Sequence, residues 1–158
     1  MPACPEPPGH PPGAAFLLTA VGTHAANRFA ERIAGLGLTP PQTGLLRAIA
    51  AAPGLSQQAV AQFLGTPPSR LVALVDALAD RGLVERRRNP GDRRLHALHV
   101  TAEGEALLQR IAQLGQAHDD TICAALDDDQ RATLRALLVL IAGEQGLTPG
   151  VHPGYRFV

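Results

Sequence analysis

Nine residues, "RRRNPGDRR" from Arg86 to Arg94, hold five arginines in a chain whose formal net charge is zero. From Arg81 to Arg94 six arginines face only Glu85 and Asp92, a local excess of four positive charges. Arginine presents a planar fork of donors that fits phosphate oxygens and base edges. Such an island is the footprint of a nucleic-acid reader, or else a solvated surface. The turn Asn89-Pro90-Gly91-Asp92 lies between "LVERRR" and "LHALHV", which are expected to pair as a hairpin. A minor groove about 6 Å wide excludes a helix but admits an arginine on a loop. Asp92 is placed to hold the Arg94 guanidinium, and Arg93 is left between phosphate and water. Strand alternation sets one of Arg86, Arg87 and Arg88 opposite the other two. At least one is therefore expected to be structural, paired with Asp76 or Glu85, with Arg86 and Arg88 also candidates for phosphate.

The elements before this hairpin must position it. Thr39, followed by two prolines, is a helix start, and Pro53-Gly54 ends that helix. Ser56 is placed to cap a short helix carrying Val60, Phe63 and Leu64, closed by Gly65. Thr66 and Pro67 read as cap and first residue of the next helix. Its Leu71, Leu74, Val75 and Leu78 fall at i, i+3, i+4 and i+7, one apolar stripe. That phase turns Ser69, Ala73, Asp76 and Asp80 outward, with Arg70, Val72 and Ala77 on the flanks. Two short helices and then a hairpin make a winged helix-turn-helix. Its reading residues would be Pro68, Ser69, Arg70, Val72 and Ala73 at the start of the second helix, which fits the major groove.

Further helices are expected over 14–36, from Thr101 toward Leu126, and after an Asp127/Gln130 capping box. The first carries Phe16, Leu17, Val21, Phe29 and Ile33. The second turns Leu107, Leu108, Ile111 and Leu114 inward, and the last lines up Leu134, Leu137, Leu138 and Ile141. The fold class is mainly α (α+β). One domain over 14–145 is expected, between a proline-rich disordered tail, 1–13, and an irregular tail, 146–158. Within it, 37–101 form the DNA-binding lobe, and 14–36 with 102–145 the flanking helices.

Several function classes lack their residues. No G-x-S-x-G, P-loop, H-E-x-x-H or dinucleotide fingerprint occurs, so neither an enzyme nor a cofactor is expected. Cys4 and Cys123 are far apart, and no Cys/His cluster suggests a metal site, although His24 and the His118-Asp119-Asp120 run could converge. Cys123 is expected to be a buried structural residue. The start lacks a signal peptide's basic and apolar regions, and no apolar run nears the roughly 18 residues of a membrane span. A cytoplasmic protein is expected.

The stretch "LSQQAVAQFLGTPPSRLVALVDALADRGLVERRRNPGDRRLHALHVTAEGEALL" resembles the MarR family of winged-helix transcriptional regulators. The likeness is close from Leu36 to Leu108 and follows the family layout from Ala14 to Gly143. It implies a homodimer whose terminal helices interlock, a pseudo-palindromic double-stranded DNA operator, and repression relieved by a small aromatic or phenolic effector. Asp92 and Arg94 match the family's Asp-x-Arg wing motif. His24, Arg28, Gln42 and Thr43 fall in the stretches that hold effectors in relatives. The recognition helix departs from the family in carrying Val72 and Ala73 where polar or basic residues are common. Arg70 stands where a small hydroxyl residue is usual. Two other readings stay open: a winged-helix protein-interaction module without specific DNA readout, and a redox- or metal-sensing variant of the same regulator.

Overall fold

The computed structural model describes residues 11–88, 91 and 96–152. Asn89, Pro90 and Asp92 to Leu95 of the expected hairpin turn lie outside the described residues, as do 1–10 and 153–158 of the two expected tails. Helix α1 (Ala14–Ala34) leads into a three-helix lobe of α2 (Pro40–Ala51), α3 (Gln57–Leu64) and α4 (Pro68–Asp80). Strands β1 (Val84–Arg88) and β2 (His96–Val100) follow, then the long α5 (Ala102–Ile122) and α6 (Asp128–Glu144). This is a mainly helical winged helix.

Local chemistry sets most of the boundaries. Thr39 and Gln42 form a reciprocal capping box: the Thr39 amide donates to Gln42 Oε1 at 2.9 Å, and the Gln42 amide to Thr39 Oγ1 at 3.4 Å. Ser56 caps α3 through the Ala59 amide, and Asp127 caps α6 with Gln130 reciprocating. Gly65 closes α3 at φ +62°, a left-handed conformation that L side chains rarely adopt.

Thr66 differs from expectation. It does not cap α4, whose N-cap is Pro67 and whose first residue is Pro68. The Thr66 amide instead reaches back to the Ala61 carbonyl at 3.0 Å while that of Gly65 reaches Gln62. These two bonds complete a Schellman motif, so Thr66 belongs to the end of α3. Helix α5 also stops sooner than expected. Cys123 is its C-cap and only half-buried, because the chain must turn to give Asp127 the extended conformation of a cap.

The core lies within the lobe. Leu45, Leu46, Ile49, Val60, Leu64, Leu71, Val75 and Leu78 from α2 to α4 meet Leu98 of β2 and Leu107 and Ile111 of α5. Phe63 sits off the stripe of α3 and is half exposed, its place taken by Ala61. The strands pair antiparallel, with Val84 opposite Val100 and Arg88 opposite His96. Strand β2 also bonds on its other edge, where the Gly54 amide donates to the Leu98 carbonyl and the Leu98 amide to Leu55. That third edge buries Ala97 beside Leu98, which explains the imperfect alternation of the sequence. Val151, in the stretch expected as a tail, is only 8% exposed and joins the core.

The terminal helices leave apolar surface open. Phe16 is 66% exposed and Leu140 70%, and no residue of α6 is buried. In the stripe of Leu134, Leu137, Leu138 and Ile141, Leu137 and Ile141 are about half exposed, while Leu134 and Leu138 line an open cavity of about 570 Å³ with Cys123 and Val151.

Candidate nucleic-acid interface

Helix α4 presents its start to solvent. Pro68 and Ser69 are exposed, Arg70 is half-buried, and Val72 and Ala73 are exposed. Leu71, Val75 and Leu78 anchor the opposite face in the core. No side chain caps this helix, so its first-turn amides keep the partial positive charge that favours phosphate.

Beside it rises the hairpin. The three strand arginines take different roles. Arg86 is drawn inward: Nε donates to Gln57 Oε1 at 2.6 Å and Nη2 to Asp76 Oδ1 at 2.5 Å. Arg87 pairs with Glu85 on the opposite face. Arg88 is exposed and makes no ion pair among the described residues. The expectation that one of the three pairs with Asp76 or Glu85 is met twice. The candidates Asp92, Arg93 and Arg94 lie outside the described residues. Arg81 holds the α1–α2 connection through the Gly37 and Leu36 carbonyls, at 2.6 and 3.0 Å. Part of the basic island is thus internal scaffolding.

The effector candidates divide. His24 and Arg28 line one open cavity of about 410 Å³ with Arg32, His118 and Thr121. Arg28 pairs with Glu31 at 2.7 Å, and Arg32 donates to Thr121 Oγ1 at 3.0 Å. Thr43 lines a second cavity of about 530 Å³ with Phe29, Arg47, His118 and Val151. Its hydroxyl donates to the Thr39 carbonyl at 3.1 Å. Gln42 is committed to the capping box and lines neither cavity. His118 joins the two cavities. Its ring lies 5.5 Å from that of Phe29, and its buried Nδ1 has no hydrogen-bond partner among the described residues. Burial, and then the Arg32 charge, lower its pKa; Arg28 and His24 add to this and Asp119 opposes it.

Sequence reasoning passed over three residues of this region. Arg32 and Arg47 were each legible as the i+4 neighbour of a candidate, Arg28 or Thr43. Gln57 carries no local signal, because its partner is 29 residues away. Among the described residues, no group of three His, Cys, Asp or Glu converges on one point, and no helix is long and apolar enough to cross a membrane.

A model of the MarR family matches residues 36–95, the lobe and the first part of the wing. A putative transcriptional regulatory protein for the hcr operon of Thauera aromatica is 39% identical over 113 residues, covering 72% of this chain and 68% of its own. The chain belongs to the MarR family. Its relatives are transcriptional regulators and repressors, and their fold is the winged helix described above. Among solved MarR-type structures, the transcriptional repressor CouR bound to a 23-mer DNA duplex is 35% identical, with a TM-score of 0.72 over 82% of this chain and 92% of CouR. The MarR family protein Rv2887 of Mycobacterium tuberculosis, in complex with p-aminosalicylic acid, is 26% identical, with a TM-score of 0.68 over 83% of this chain and 99% of that one.

Proposed function

We propose that this MarR-family chain is a homodimeric repressor of transcription that reads a pseudo-palindromic operator and is released by a small aromatic acid. The observation that carries the reading is the pairing of an exposed, uncapped recognition helix with a basic wing on one side of a rigid lobe. Pro68, Ser69, Arg70, Val72 and Ala73 meet the major groove. Arg88 and Arg93 meet phosphates, and Arg94, held by Asp92, enters the minor groove. The likeness to DNA-bound CouR supports this.

Dimerisation is supported by the bare faces of α1 and α6, whose Phe16, Leu17, Val21, Leu137 and Leu140 are exposed to an extent a lone domain rarely shows. Two-fold symmetry would set the recognition helices one turn of DNA apart, about 34 Å. The cavity of His24, Arg28, Arg32 and His118 takes the effector, its cations facing a carboxylate. The complex of Rv2887 with p-aminosalicylic acid supports that ligand class.

The test is fluorescence anisotropy on duplex DNA from the region upstream of the chain's own gene, against random duplex at physiological salt. Tighter binding to the upstream duplex is expected, with loss on adding p-aminosalicylate. Equal affinity for both duplexes would sink the operator reading. Arg70→Ala is expected to relax base preference, and Arg94→Ala to weaken binding and lower the salt slope by about one phosphate's worth.

A further inference from the structure

Among the described residues, Arg86 is the most deeply committed cation of the wing. Its side chain is 28% exposed, and one guanidinium joins three elements: β1, the first residue of α3, and the middle of α4. The planar fork holds two acceptors at a fixed angle, which an ammonium cannot do.

Asp76 is the odd member of this set. It lies seven residues after Ser69, four after Val72 and three after Ala73, on the outer face of α4. A carboxylate on a face turned to DNA repels phosphate, so simple electrostatics disfavours it there. Asp76 is 53% exposed, and its one ion pair among the described residues is with Arg86. That pair removes the repulsion and spends the Arg86 charge at the same time.

We propose that Arg86 is a positioning residue, locking the wing to the recognition helix through Asp76 and Gln57, and that it does not contact phosphate. Arg88, the last residue of β1, lies two residues beyond Arg86, roughly 7 Å along the strand. A swing of about 10° at Arg86 would move Arg88 by roughly 1 Å and redirect the strand as it leaves the lobe, against a minor groove about 6 Å wide. The lock therefore fixes where the wing arginine enters relative to the bases read by α4.

This rests on the DNA-binding reading, and the experiment separates the two. Wild type, Asp76→Asn, Arg86→Ala, Arg86→Lys and the double variant are titrated on the upstream and random duplexes over a salt series, with thermal melts alongside. If wild type does not discriminate between the duplexes, the operator reading fails. If it does, Asp76→Asn is expected to weaken upstream binding about tenfold, although it removes a negative charge, and to leave random binding within twofold. Arg86→Ala and Arg86→Lys show the same loss with an unchanged salt slope, and the double variant is no worse than either single. Gln57→Ala, which leaves the ion pair in place, loses about threefold and keeps the test open should Asp76→Asn melt too low. Tighter binding by Asp76→Asn, an unaffected Gln57→Ala, or a salt slope lowered by about 0.9 in Arg86→Ala would each overturn the proposal.

Discussion

Replacing Gly104 by alanine should destabilise the protein, although helix propensity alone gives the opposite sign. Gly104 lies in the first turn of α5, where alanine is favoured over glycine by about 1 kcal/mol. A Cβ built there would collide with the Leu83 carbonyl oxygen and with Val100 Cγ1. Neither is a flexible side-chain end: one is backbone and the other a β-branched strand residue. Relief requires α5 to lift from the wing. Two bonds hold it down, the Thr101 amide to the Leu83 carbonyl at 3.1 Å and the Thr101 hydroxyl to the Gly82 carbonyl at 2.5 Å. Overpacking costs about 1–3 kcal/mol and each weakened bond up to about 1. Set against the propensity gain, the net loss is about 2 kcal/mol. Urea unfolding followed by circular dichroism is the assay, and the midpoint should fall by about 1 M for a slope of about 2 kcal/mol/M. A midpoint at or above wild type would refute the reasoning, since it would mean that α5 and the wing separate freely.

Two other perturbations test other parts of the molecule. Leu137→Arg places a charge in the exposed stripe of α6 and is expected to give a folded monomer by light scattering, with operator affinity down at least a hundredfold; a variant that stays dimeric would move the interface elsewhere. His118 has a folded pKa below its ordinary value near 6.5, so the unfolded chain takes up its proton first as pH falls. Its contribution is fully present above about 6.5 and is lost progressively below it. The urea midpoint should therefore drop between pH 7 and 5.5, less steeply in His118→Gln, and parallel curves for the two proteins would rule this out.

What the sequence made legible follows the range of the interactions involved. Thr39, Ser56, Gly65, and Asp127 with Gln130 complete their bonds within a few residues, so residue type and spacing were enough to place them. The stripe of α4 was legible for the same reason. Thr66 was misplaced because two helix ends compete for it within three residues, and the Schellman closure of α3 wins. Val151 gave no sign, since one valine between glycine and histidine has no periodicity and its burial depends on distant helices. The division of labour among the arginines was only half visible. Alternation set one of the three opposite the other two and made at least one structural, but choosing Arg86 as the inward one needed Gln57 and Asp76 in space. Gln42 illustrates the reverse case, a residue suggested for a ligand by its position in the chain whose side chain is occupied by a local cap.

A single residue, Thr101, separates the second wing strand from α5. Its amide and hydroxyl bind the turn after α4 while its oxygen caps α5, and Gly104 lets the helix seat directly on Leu83 and Val100. Wing root and helix start are in effect one casting, and α5 is its lever arm. His118 lies 16 residues along that arm, roughly 24 Å from the weld. A tilt of about 5° pivoting near His118 would carry the wing root roughly 2 Å. If the proposed effector sits in the cavity of His24, Arg28 and His118, it acts on the wing root through this lever, with no rearrangement inside the lobe.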